Sequence, residues 1–367
     1  MELSDSAAVA ERLRRNRLAA GTGLTSAEHA VKAVCGVQAQ DLPAGRLSLR
    51  PRSRGLTDAA VETARVEERS LVRTWAMRGT LHLVASCDLL WLRRLLAPGS
   101  IRSNARRSAE LGLDEPAYRQ ALDLMDAALS GDRSLSRLGL KEALERRGVD
   151  ASGQRMVYLL ARASAEGLVC EGPLQGRFPT YVRVADWLDL KEPQSVDRSE
   201  DLARLVDRYL DAYGPAGPED LAAWSGISLT ECRQAFAAAS GLTKLVVDGR
   251  TVWITGHLER AEPPLLVLLP AFDTFLLGYR DRSLHLDKVH TKRVNAGGGM
   301  IKPVLLAGGR VAGTWSMKRG AGRLRVAVDP FSALPASLSP ALETEVADLG
   351  RFLEVTPELD LRRAGPA

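Results

Sequence analysis

No run of about 18 apolar residues occurs in the chain, so no segment is expected to span a membrane. The opening stretch, MELSDSAAVAERLRRNR, is charged and lacks the apolar core of an export signal. Cysteine is scarce. The four residues Cys35, Cys87, Cys170 and Cys232 are scattered and form no CxxC pair, which argues against a disulfide framework and a zinc ribbon. The five histidines, His29, His82, His257, His285 and His290, have no metal-ligand spacing. The chain also lacks a GxGxxG turn between strand and helix, a P-loop, an HExxH helix and a GxSxG elbow. These absences predict a soluble, cytoplasmic protein that works without a metal or cofactor.

What is present is arginine. Lysine contributes only 8 of the 50 basic residues, an Arg-, Ala- and Leu-rich bias of the kind a GC-rich genome imposes. Net charge is +5, unevenly spread. Residues 1–110 carry 18 Lys/Arg against 11 Asp/Glu, whereas the remainder carries 32 against 34. A basic excess confined to the first third suits a polyanionic partner. At 367 residues with 45% hydrophobic content, two to four domains with real cores are expected.

The periodicity is repetitive. Residues 3–20 form an amphipathic pattern on Val9, Leu13 and Leu18, followed by a turn over 21–23. Ser26 is placed to cap a helix over 27–35. A basic loop over 50–55, a helix over 56–67 and strand character over 71–84 follow. Helical patterns then recur over 115–129, 135–147 and 152–168, with Ser152 as candidate cap and strand-like runs at 169–171 and 177–184. The order returns a third time: helices over 199–213, 218–225 and 229–240, then strands 242–247 and 251–255 about Asp248-Gly249-Arg250, a strong hairpin signal. From Leu265 short alternating strands take over (265–269, 304–306, 310–316, 323–328), closed by a helix over 338–355. The predicted fold is α+β: three tandem winged-helix units over 1–110, 111–190 and 191–260, and a β-rich C-terminal domain over 261–367. Residues 281–300 are polar, basic and glycine-rich, an exposed loop or hairpin.

Two segments could carry chemistry. In Gly36-Val37-Gln38-Ala39-Gln40-Asp41-Leu42-Pro43, two glutamines stand two residues apart. On a helix they would diverge by about 200°; in an extended segment both face one side. Gly36 is a plausible helix stop, and Pro43 discourages helix through Leu42. Neither amide is then expected in the core. Spacing alone is satisfied equally by two solvated loop glutamines. The second segment, residues 73–82, alternates as a strand, with Arg78, Thr80 and His82 on one face, either a functional row or a solvated one.

The stretches VQAQD, LVRTWAMRGTLHLV, LLPAFDTFLLGYRDRS and GRVAGTWSMK together resemble the winged-helix DNA glycosylases of the AlkZ and YcaQ type, in the family's order and across roughly residues 5–355. The resemblance implies that Gln38 and Gln40 are catalytic, matching the Gln-apolar-Gln signature of the AlkZ-like branch rather than the Gln-apolar-Asp of the YcaQ-like branch. It implies excision of bulky N7-alkylated guanine from double-stranded DNA by a monofunctional enzyme. It also implies possible unhooking of interstrand crosslinks and self-resistance in an antibiotic producer. Arg46, Arg50, Arg52 and Arg54, close to the pair, are expected to hold phosphates. Arg78, Thr80, His82, Arg282, His285, Lys288, Trp315 and Lys318 are the further expected DNA contacts. The expected assembly is a monomer, nucleoid-associated. A neutral amide pair suits such a substrate, because N7 alkylation already makes the base a good leaving group and leaves water positioning as the main demand. The competing classes are a non-catalytic winged-helix regulator or damage sensor, for which no dimerisation helix or ligand domain is evident, and a nonspecific architectural protein, for which +5 is modest.

Overall fold

One order of elements, helix–short strand–helix–helix–hairpin, occurs twice in full and once with its short strand reduced to a bridge. A computed structural model describes all residues except 20, 22, 192–196, 260, 321 and 363–367. After α1 (Asp5–Arg15), the first copy comprises α2 (Ala27–Ala33), β1 (Val37–Gln38), α3 (Leu42–Leu47), α4 (Asp58–Val66) and the hairpin β2 (Leu71–Trp75)–β3 (Leu81–Ala85). Helix α5 (Leu89–Glu110) leads to the second: α6 (Glu115–Leu129), β4 (Leu135–Ser136), α7 (Arg137–Glu145), α8 (Arg155–Ala165), β5 (Val169–Gln175) and β6 (Phe178–Arg183). The short α9 (Val184–Trp187) precedes the third: α10 (Arg198–Tyr213), α11 (Pro218–Ser225), α12 (Leu229–Ala238), β7 (Leu242–Val247) and β8 (Arg250–Thr255). There the first strand's place is taken by a single bridge, Ala216 to Trp253. The C-terminal part holds β9 (Leu266–Leu269), α13 (Thr274–Leu277), α14 (Thr291–Val294), β10 (Val304–Ala307), β11 (Arg310–Gly320), β12 (Arg323–Pro330), α15 (Ser339–Leu353) and β13 (Thr356–Leu361). The fold is α+β with a β-rich C-terminal region, as the sequence predicts.

Local chemistry sets these boundaries. Side chains of Ser26, Thr57, Asp114, Ser136 and Ser228 each accept from the backbone N–H three residues on, satisfying donors that the first helical turn leaves free. Helix α8 differs: it starts after Gln154 without a side-chain cap, so Ser152 is not its cap. Asp248 and Gly249 have φ of 48° and 70°, the two positive values a type I′ hairpin requires.

Where sequence and structure part, the reasons are physical. The expected strand over 71–84 is a hairpin, reversed through a turn in which Arg78 and Gly79 adopt φ of 56° and 67°, so Arg78 does not share a strand face with His82. The expected basic loop over 50–55 contains a helical turn that buries Arg50 and Arg52. Pro43 does not prevent helix at Leu42; it sits in the first turn of α3, behind the Asp41 cap, where its missing N–H is harmless. Helix α5, 22 residues long with Pro98 inside it, and the parallel pairing of β13 with β12 have no counterpart in the sequence reading. The 281–300 segment is anchored, with His285, Leu286 and Val294 buried; its exposed parts are Ser283, Asp287–Val289, Lys292 and the stretch Ala296–Met300.

Sheets tie the copies together. The first two hairpins form one six-stranded sheet in the order β1-β3-β2-β5-β6-β4, joined where Arg73 of β2 stands opposite Glu171 of β5. The C-terminal sheet runs β13-β12-β11-β10-β9. Its strands alternate as half-buried strands do. Leu266, Leu268 and Leu305 share a core with α15 and with Val31, Leu47 and Val61 of the first copy. Val267, Leu269 and Leu306 meet Val9 and Leu13 of α1 on the opposite face. The N-terminal helix and first copy are thereby built around the C-terminal sheet.

Arg52 locks this arrangement. It is fully buried, and its two terminal nitrogens donate to both oxygens of the buried Asp273 at 2.9 and 2.8 Å, with further bonds to the carbonyls of Ser48 (2.7 Å) and Asn16 (3.1 Å). Removing one partner of a buried ion pair strands the other charge, at about 3–5 kcal/mol. Arg52→Ala is expected to lower the urea-unfolding free energy by about that amount, whereas Arg54→Ala, at an exposed side chain, changes it by less than about 0.5 kcal/mol. Equal, small effects at both positions would contradict the buried placement.

Candidate active site

The Gln-Ala-Gln segment is released from α2 by a specific ending. Cys35 adopts φ of 53° and Gly36 φ of 101°; the Gly36 N–H donates to Val31 O (3.0 Å) and the Cys35 N–H to Lys32 O (3.1 Å), the paired bonds of a Schellman motif. The chain then runs extended. Val37 pairs with Leu83 and Gln38 with His82, and the Ala39 N–H donates to Leu81 O at 2.8 Å. The ladder ends there in an unusual way. The Leu81 N–H donates to the Gln40 side-chain oxygen (3.2 Å), while Ala39 O and Gln40 O accept from Arg73 Nε (2.8 Å) and Nη2 (3.2 Å). A third nitrogen of Arg73 bonds Glu171. From below, Gly45 of α3 lies so close that a Cβ there would stand 2.7 Å from that of Ala39, so the helix can seat the segment only with glycine at that position.

The two amides sit in different surroundings. Gln38 is buried, at 8% exposure, which corrects the expectation that it lies outside the core. Its Oε1 accepts from Arg78 Nη2 at 2.7 Å. Gln40 is exposed. In both, an N–H donor occupies the carbonyl oxygen, and this fixes the orientation of the amide. Arg78 also bonds Trp224 O and has no carboxylate partner among the described residues. Burial, with the nearby Arg282 charge, pushes the Arg78 pKa down. Arg282 is half-buried, its Nε lacks a hydrogen-bond partner, and burial lowers its pKa too.

His82 stands between Gln38 of β1 and Thr74 of β2 in the sheet. Its Nδ1 lies 2.9 Å from Thr80 O; a carbonyl only accepts, so the ring proton is assigned to Nδ1. Burial, reinforced by the Arg78 charge, lowers the His82 pKa to about 3, leaving the ring neutral at physiological pH.

Gln40 lines an open groove of about 1290 Å³ between the first and second copies, with Arg46, Arg137, Lys141, Arg177, Leu138 and Phe178 along it and the Arg73–Glu171 pair at its wall. Arg137, Lys141 and Arg177 carry cations that the sequence reading passed over. Two of them sit on α7 and one on the β5–β6 turn, distances no linear spacing encodes.

The remaining expected contacts divide sharply. Arg54, Lys288 and Lys318 are exposed; Thr80 and Arg46 are half-buried, with Arg46 held by Asp58 and Glu62 at 2.8 Å each. Four others point inward and are corrected here. Arg50 is buried against Glu345 (2.7 Å) and Asp348 (2.8 Å), and Arg52 against Asp273. His285 is fully buried, its Nε2 3.2 Å from Arg12. Trp315 is buried, with its indole N–H donating to Leu269 O at 2.7 Å. None of these four presents a group to a phosphate. Much of the N-terminal basic excess is consumed in this way, since Arg12, Arg15, Arg65 and Arg73 are buried as well. Among the described residues no three His, Cys, Asp or Glu side chains gather to hold a metal ion, and no helix is long and apolar enough to cross a membrane.

Comparison with known proteins bears on this site. The family description "DNA glycosylase AlkZ-like" matches residues 31–352. An "Interstrand DNA cross-link repair glycosylase" of Streptomyces sahachiroi is 30% identical over 349 residues, covering 89% of this chain and 90% of that one. The solved structure of the Streptomyces sahachiroi DNA glycosylase AlkZ superposes with a TM-score of 0.83 at 26% identity, covering 99% of this chain and 100% of that chain.

The depressed His82 pKa has a thermodynamic consequence. Unfolded, the ring takes up a proton near its ordinary value of 6.5; folded, it refuses one down to about 3. Below pH 6.5 the unfolded chain therefore binds more protons, and stability falls as pH drops toward 3, by up to about 1.4 kcal/mol per pH unit from this group. Urea titrations at pH 6.5 and 4.5 are expected to show a smaller loss for His82→Gln than for the wild type. Identical losses would mean that His82 titrates normally.

Proposed function

The chain belongs to the AlkZ-like DNA glycosylase family, and from that premise we propose that it excises guanines bearing bulky N7-alkyl groups from duplex DNA, with Gln38 and Gln40 as the catalytic pair. The observation that carries this reading is the placement of the Gln-Ala-Gln segment: extended, braced by Arg73, and opening at Gln40 onto the groove. The groove exceeds the roughly 300–1,000 Å³ of ordinary ligand pockets and is open, which suits a base that is enlarged by an adduct or tethered to the opposite strand. The crosslink repair named for the Streptomyces relative thus extends to this chain as unhooking of interstrand crosslinks, and its physiological role as self-resistance to an alkylating natural product. The protein acts as a monomer.

The three repeats read as winged helices by element order. The third helix of the second copy, α8, which stands where such folds usually read a groove, is largely committed to packing: its Met156, Leu159, Leu160, Ala161, Ala163, Ser164 and Ala165 are buried. Recognition then rests on phosphate contacts and on the lesion rather than on base sequence. Arg78, bonded to Gln38, and Arg282, whose charge acts on Arg78, have no carboxylate partners among the described residues and suit phosphates of the damaged strand; Arg54, Lys288 and Lys318 suit others.

In the reaction, the C1′–N9 bond breaks and its electron pair passes to the purine ring, cancelling the positive charge that N7 alkylation placed there. The base departs without needing a proton. The sugar develops oxocarbenium character, stabilised by amide carbonyl dipoles aimed at it. Water adds at C1′, held by the Gln amides, and its released proton goes to solvent, since an amide is too weak a base to keep it. The products are an abasic site and the free alkylated base.

Single-turnover release of N7-methylguanine by Gln38→Ala and Gln40→Ala is expected to fall by about 10²-fold or more each, with DNA affinity nearly unchanged. Gln40→Asp, which keeps an oxygen acceptor, retains part of the rate. Arg73→Lys, whose single ammonium nitrogen cannot span the acceptors that three separate guanidinium nitrogens reach, loses up to about 10²-fold through displacement of the segment. Wild-type rates in the double Gln→Ala variant would refute the mechanism.

A further inference from the structure

Two large apolar side chains stand out of the protein at the edge of the groove. Phe178 is 59% exposed and Leu138 62% exposed, and both line the groove that Gln40 lines. Isolated exposed hydrophobics are common, but two converging beside a catalytic segment call for an occupant. Their setting narrows the choice.

Phe178 is the first residue of β6, just after the two-residue turn Gly176-Arg177. Gly176 has φ of 64°, and a glycine at the first central position is the pattern of a tight type II′ hairpin loop. The ring is thus carried on a short, stiff tip. That hairpin is tied to the Gln segment through the shared sheet, because Arg73 of β2 bonds both Glu171 of β5 and the backbone at Ala39 and Gln40. The tip is held in fixed relation to the catalytic amides. Leu138 projects from the first turn of α7, beside Arg137.

Charge identifies the partner. Arg177 places its guanidinium 5.2 Å from the Phe178 ring centroid. Neither it nor the exposed Arg137 has a carboxylate partner among the described residues. An aromatic face flanked by unneutralised arginines is complementary to nucleic acid, where bases stack on the ring and phosphates meet the cations. We propose that Phe178, supported by Leu138, is a wedge that enters the base stack at the step adjoining the alkylated guanine, while Arg137 and Arg177 hold the flanking phosphates. The wedge rests on the reading of Gln38 and Gln40 as the catalytic pair, since it is their position that makes this step the relevant one. Opening the stack beside the lesion exposes its C1′ to the amides without requiring full extrusion of a base that a bulky or tethered adduct would obstruct.

The test uses a duplex containing one N7-methylguanine flanked by 2-aminopurine, whose fluorescence rises on unstacking. Binding is followed in the Gln38→Ala/Gln40→Ala background, so the signal does not depend on chemistry and survives a failure of the catalytic reading. The wedge predicts a fluorescence rise that Phe178→Ala abolishes and Phe178→Trp restores. It also predicts single-turnover release about tenfold slower for Phe178→Ala in otherwise wild-type protein, with Leu138→Ala intermediate and thermal unfolding unchanged in both. An unaltered rise and rate in Phe178→Ala would overturn the proposal. So would a loss confined to substrates with large aromatic adducts, with N7-methylguanine release and the fluorescence rise intact, because the ring would then touch the adduct rather than the stack.

Discussion

The guanidinium of Arg73, almost wholly buried with Glu171, joins the Gln segment, β2 and the second hairpin. One nitrogen meets Glu171 on the second hairpin, and two meet the carbonyls of Ala39 and Gln40. The same pairing is the seam that turns two three-stranded sheets into one of six strands. A buried ion pair is a poor source of stability, because desolvating both charges offsets most of their attraction. Burial pushes the Glu171 pKa upward even against the Arg73 charge. What the pair supplies is position. It ends the β1 ladder after Ala39, so the Gln40 side chain, not the backbone, receives the Leu81 N–H, and it fixes the second hairpin relative to that amide.

A second buried pair, Arg52 with Asp273, performs the equivalent task on the other side, fastening the first copy to the C-terminal sheet. Arg50, with Glu345 and Asp348 on α15, reinforces it. The Gln segment is therefore clamped between the C-terminal sheet and the second copy. Such clamping is what the proposed action of two neutral amides requires. Orientation contributes only if the oriented group cannot relax, and a segment braced by Arg73, seated on Gly45 and capped at Asp41 has little freedom to do so.

Much of the architecture was legible because local signals and tertiary structure agree. The cap at Ser26, the Pro218 start and the Asp248-Gly249 hairpin each encode their own geometry within a few residues, whereas Ser152 offers the same cap signal and does not cap α8. The extended run at Val37 and Gln38 was legible because Gly36 ends the helix before it. Arginine was misread. Charge alone does not distinguish Arg50 and Arg52, whose carboxylate partners lie more than 200 residues away in sequence, from the solvent-facing Arg54 two positions on. The hairpin hidden in residues 71–84 was missed because its turn is made by Met77-Arg78-Gly79, in which an arginine takes a left-handed conformation that turn-residue chemistry does not favour. The cations of the groove, Arg137 and Arg177, were invisible because they belong to the second copy and face the motif only through the β2–β5 seam.

The placement of the reacting sugar is the point on which the whole interpretation turns. It is tested most directly by a crystal structure of this protein bound to a duplex carrying a stable abasic-site analogue opposite cytosine. The expected result places C1′ of the analogue within a single bridging water of the Gln38 and Gln40 amides, with the flanking phosphates on Arg78 and Arg282. An abasic sugar bound elsewhere on the protein, with the Gln segment facing undamaged backbone or solvent, would contradict it.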